Sequence, residues 1–89
     1  PKSQLQELGE LYKVLSNELE SQWRSAWRRC NAWDYRGRGT EPEPELYRMA
    51  GLYESQHEAT SYDVFKYGRD NGRIPGRLMP LARKHWTTH

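Results

Sequence analysis

Between positions 23 and 38 the chain reads WRSAWRRCNAWDYRGR, in which Trp23, Trp27, Trp33 and Tyr35 alternate with Arg24, Arg28, Arg29, Arg36 and Arg38. Guanidinium groups pair with phosphates and lie against aromatic rings, while Trp and Tyr faces stack on bases, so this mixture suits a surface that grips a polyanion. Trp, Tyr and Arg also dominate the energetics of protein interfaces, which makes Trp23, Trp27, Trp33 and Tyr35 candidate interface residues toward a larger protein. A second cationic set, Lys66, Arg69, Arg73, Arg77, Arg83 and Lys84, fills the last third of the chain against only Asp63 and Asp70. Together with Arg24, Arg28 and Arg29 these are the candidate nucleic-acid contacts, with Tyr62 or Tyr67 bracing a sugar or base.

Catalytic chemistry has little to work with. His57, His85 and His89 are scattered, no Ser or Cys belongs to an acid–base motif, and no Gly-rich loop is available to cradle a phosphate. His85 and His89 stand four apart, a spacing that binds zinc on a helix, but the single Cys30 supplies no partner pair, so neither metal nor cofactor is expected. One cysteine also forbids an internal disulfide and fits a reducing interior. No apolar run has the length of a membrane span or a signal core. The expected setting is therefore the cytoplasm, a host's included, and the expected class is non-enzymatic.

The formal net charge of +2 conceals an uneven distribution. Residues 1–22, 23–39, 40–60 and 61–89 carry −2, +4, −4 and +4, so two basic zones alternate with two acidic ones. Such blocks either neutralise one another, within the fold or across a dimer, or remain free to meet a partner.

The elements that must position these residues are helical, because Val14, Val64 and Ile74 are the only aliphatic β-branched residues and four Trp and six Tyr supply much of the core volume. Ser3 and Gln6 form a capping-box pattern. From there Leu5, Leu8, Leu11, Tyr12, Leu15, Leu19, Trp23, Ala26, Cys30 and Trp33 recur in steps of three and four, until Gly37 offers a stop. The spacing predicts one helix of about thirty residues. Leu8, Tyr12, Leu15, Leu19 and Ala26 within it approach a heptad seam, which leaves open pairing with a second copy as a homodimer.

Residues 36–44, rich in Gly and Pro, read as a hinge, and Pro44 suits the first turn of a second helix whose inner face runs Leu46, Met49, Ala50, Tyr53, His57 and Thr60. Thr60 and Ser61 with Asp63 signal the start of a third helix over residues 62–70, which Asn71 and Gly72 would end in a left-handed turn. The segment GRIPGRLMP is expected to be extended or turning, with a last short turn after Pro80 that pins Leu81 and Trp86 to the core. The fold expected for residues 1–89 is a single small all-α domain, a long N-terminal helix with two or three shorter helices folded back on it.

The stretch VFKYGRDNGRIPGR, residues 64–77, resembles the recognition helix and following turn of excisionase-like and related winged helix-turn-helix proteins. The likeness covers fourteen residues, with a Val-to-Gly interval one longer than that pattern. It implies a helix lying in the major groove, where Lys or Arg contacts phosphates and base edges. The function expected is nucleic-acid binding, DNA in preference to RNA, through the basic C-terminal surface. The alternative is a small regulator or inhibitor that binds a larger protein machine through the Trp/Arg-rich stretch and the acidic segment 41–58.

Overall fold

The computed structural model describes residues 1–87, and every regular element among them is helical: α1 (Gln4–Arg36), α2 (Pro44–Gln56), α3 (Ser61–Asp70), a 3-10 turn (Gly76–Leu78) and α4 (Met79–Thr87). His89 lies outside the described residues. The chain forms two compact units, one from Pro1–Leu19 with the segment from Ala59 onward, the other from Glu20–Glu58, and α1 contributes to both.

Local signals account for most of the boundaries. Ser3 and Gln6 close the expected capping box, the Gln6 amide donating to Ser3 Oγ at 3.1 Å and the Ser3 amide to Gln6 Oε1 at 2.9 Å. Thr60 and Asp63 form a second reciprocal box at the start of α3. At the end of α3, Gly72 takes φ 65° and the Arg73 amide donates to the Gly68 carbonyl at 2.8 Å, a Schellman closure.

Two expectations are corrected. The second helix does not continue to Thr60 but stops at Gln56, because Thr60 must adopt the extended backbone of an N-cap, with φ −78° and ψ 165°. His57 thereby leaves the inner face and is exposed at the C-cap. Residues 76–87 are more helical than expected, since Pro80 falls in the first turn of α4, where its missing N–H is not needed. The described residues contain no strand, and therefore no wing to accompany α3.

In the first unit Leu8 packs with Phe65, Ile74, Leu78 and Ala82, and Tyr12, Leu81 and Trp86 close around them. Leu15, fully buried, faces Gly68, where an added Cβ would lie 2.7 Å from Leu15 Cδ1 and 3.1 Å from Ile74 Cγ1. A residue without a side chain is what lets α3 approach α1 this closely. In the second unit Ala26, Cys30 and Ala50 are buried together, with Trp27, Leu46 and Met49 against them. Cys30 is a packed side chain of this cluster, and burial pushes its thiol up in pKa. Leu8, Leu15, Leu19 and Ala26 of the heptad-like series are buried within the chain's own fold, and Tyr12 is half-buried.

Ion pairs fasten the first unit from outside. Arg73 grips Glu18 with two hydrogen bonds of 2.6 and 3.0 Å, and the Tyr67 hydroxyl donates to the same carboxylate at 3.2 Å. These contacts, the Arg73 hydrogen bonds first, hold the Glu18 carboxyl below the ordinary value of 4.5. A folded-state pKa below the unfolded one contributes stability that is complete above pH 4.5 and is lost as acid protonates Glu18.

Two outcomes follow from this packing. Gly68→Val should destabilise by about 1–3 kcal/mol through overpacking, whereas Gly9→Ala, with open space around its Cβ, should stabilise by about 0.5–1 kcal/mol; thermal unfolding of the two variants measures both. Acid titration followed by circular dichroism should show Glu18→Gln losing less stability than the parent between pH 5 and pH 3, because the titrating carboxylate is gone.

Candidate nucleic-acid interface

The two basic zones are treated differently by the fold. In the last third Arg73 is paired with Glu18, Arg77 with Glu7, and Arg69 with Asp70 at 3.0 Å while its guanidinium also lies 5.0 Å from the Trp86 ring. Lys66 stands 5.7 Å over the Tyr62 ring, and Arg83 and Lys84 are exposed on α4. The sequence left open whether carboxylates of the other blocks neutralise these cations. The structure draws the neutralising carboxylates from α1 and from α3 itself.

At the end of α1 the balance is reversed. Trp27, Asn31 and Tyr35 form one row at intervals of four, Arg28, Ala32 and Arg36 form the neighbouring row, and with Arg38 they line a cleft of about 340 Å³. The rows rise about 12 Å along the helix axis. Among the described residues Arg28, Arg36 and Arg38 have no carboxylate partner. The one acid in this stretch, Asp34, accepts the Tyr47 hydroxyl at 2.7 Å, which pushes the Tyr47 phenol up to about 12. Tyr35 is 83% exposed, and Trp27 has one side on the Ala26, Cys30 and Ala50 cluster and another on the cleft. Trp23 is fully buried, and Trp33 is half-buried with its carbonyl accepting the Gly37 amide at 3.0 Å. Arg24 is exposed one turn before the cleft.

Arg38 reaches the cleft because the chain turns back. Gly37 takes φ 61°, and the Arg38 amide donates to the Ala32 carbonyl at 3.0 Å. Arg29 holds the return: its Nη2 donates to the Thr40 carbonyl and, at 2.9 Å, to Thr40 Oγ1, while its Nη1 is buried with no hydrogen-bond partner. Arg29 thus serves the loop, where the sequence offered it as a phosphate contact. Gly39, at φ 87°, is the residue over which this guanidinium lies; a Cβ there would meet Arg29 Cζ at 3.1 Å.

Arg36 and Arg38 were legible as charge but not as members of a cleft, and Asn31 and Ala32 gave no signal beyond their spacing. Guanidinium groups at a helix C-terminus also complement its dipole, which explains Arg36 structurally. It does not explain three unpaired cations around two aromatic rings. No group of three or more His, Cys, Asp or Glu that could hold a metal ion occurs among the described residues, and no described helix is long and apolar enough to cross a membrane.

Gly39→Ala should lower stability by about 1–2 kcal/mol, from left-handed strain in a residue bearing a Cβ, and should speed amide exchange at Arg38 if the Arg29 clasp orders the loop. Unaltered exchange at Arg38 would show that the clasp does not hold it. Comparison with known proteins yields no match to a protein-family model, a curated protein or a solved structure.

Proposed function

We propose that the protein binds nucleic acid without catalysing a reaction, and that the end of α1 is the principal contact. The observation that carries this reading is the group of three guanidiniums, Arg28, Arg36 and Arg38, without carboxylate partners around Trp27 and Tyr35. Phosphate contacts supply most of the affinity of such proteins through counterion release, and an arginine already held by a carboxylate must first give that partner up. Arg69, Arg73 and Arg77 are therefore secondary contacts, available only by exchanging Asp70, Glu18 and Glu7 for phosphate. Lys66, Arg83 and Lys84 extend the same secondary zone.

A second reading, a regulator that docks on a larger protein, draws support from that same pairing of the last third's arginines. Its contact would be Tyr35 and Trp27, exposed and half-buried aromatic groups of the kind that anchor interfaces. It is distinguished by absence of oligonucleotide binding together with one protein retained at fixed stoichiometry after nuclease digestion and released by Tyr35→Ala.

Fluorescence anisotropy with labelled oligonucleotides over a range of salt tests the first reading. Three phosphate contacts correspond to a slope of log K against log salt of about −2 for a single strand. The double variant Arg36→Gln, Arg38→Gln should flatten that slope by about 1.4 with the helical circular dichroism retained. The pair Arg69→Gln, Arg73→Gln should change it less; the reverse order would move the contact to the last third.

A further inference from the structure

Across the second unit the Trp27 ring stands 5.5 Å from Tyr53, tilted by 50°, and Tyr53 stands 5.5 Å from His57, edge-on at 80°. Three rings thus lead away from the arginines, the last of them exposed at the C-cap of α2. His57 is the one described residue other than glycine with a positive φ, 64°, and its amide closes the helix by donating to the Tyr53 carbonyl at 2.9 Å. Glycine fills such a position without strain and would make the same backbone bond. A side chain held in a sparsely populated conformation, with its ring near Tyr53 on an exposed residue, is a reason to look for a role of that ring.

Resting on the nucleic-acid reading above, we propose that the ligand is single-stranded: unpaired bases stack on Tyr35, on the cleft side of Trp27 and on His57, while Arg28, Arg36 and Arg38 hold the phosphates beside Trp27 and Tyr35. Two properties of the site favour a single strand over a duplex. Rings offer stacking faces, and only bases taken out of a helix have free faces to meet them. Arg28, Arg36 and Arg38 line the same cleft as Trp27 and Tyr35, so cations and stacking rings open onto one space, as a strand with splayed bases requires. Tyr53 touches both neighbours and spaces them, a positioning residue for the two outer rings.

The test uses the full chain and a labelled twelve-nucleotide mixed-sequence strand, alone and annealed to its complement, with anisotropy read at low and physiological salt. The single strand should bind at least tenfold more tightly than the duplex. Tyr35→Ala and His57→Gly should each weaken it about tenfold. His57→Gly should do so with a thermal midpoint equal to or above the parent's, since the substitution relieves the backbone; this separates loss of the ring from loss of the fold. Equal or tighter duplex binding, or single-strand binding untouched by both substitutions, would overturn the inference and leave the nucleic-acid reading standing. Binding to neither form at low salt would overturn both.

Discussion

Leu8, Leu15, Leu19, Trp23, Ala26 and Cys30 lie along one side of α1, all buried, and keeping water from that line is the constraint on which the rest of the structure depends. A helix of 33 residues is about 50 Å long, and the remaining residues of an 89-residue chain are too few to wrap it uniformly. The chain meets the constraint in two instalments. The first half of α1 is covered by α3, the segment and 3-10 turn that follow it, and α4, through Phe65, Ile74, Leu78 and Ala82. The second is covered by α2, through Leu46, Met49 and Ala50.

That division determines where positive charge is left over. In the first unit eight Lys and Arg share the surface with five carboxylates, and ion pairs or a cap engage Glu7, Glu10, Glu18, Asp63 and Asp70. Two of these pairs, Glu18 with Arg73 and Glu7 with Arg77, join positions far apart in sequence and so belong to the scaffold. Around the end of α1, Asp34 is engaged by the Tyr47 hydroxyl, and the loop folds back under Arg29 so that a further arginine is added beyond the helix. The same residue type thus has different uses: Arg73 fastens, Arg29 clasps a turn, and Arg28, Arg36 and Arg38 face a cleft.

Much of the architecture was legible before any coordinates. The start of α1 at Ser3 and Gln6, its stop at Gly37, Pro44 in the first turn of α2, the Thr60 and Asp63 box and the left-handed Gly72 all follow from short-range chemistry, which a sequence displays directly. The two-part division was not legible, because the apolar stripe runs unbroken through both halves. Nor were the partners of Arg69, Arg73 and Arg77: charge blocks give totals, while pairing depends on contacts up to 70 residues apart. His57 was misplaced for a related reason, since helical spacing continued past the point at which Thr60 needs extended backbone.

The placement of a bound polyanion at the end of α1 is open to residue-level measurement. Amide chemical-shift mapping of the labelled protein, titrated with a short single-stranded oligonucleotide at low salt, reads this residue by residue. The largest changes are expected at residues 27–40 and at His57, with smaller ones over residues 66–77. Changes centred on residues 66–84 with the end of α1 silent, or no changes at all, would contradict it.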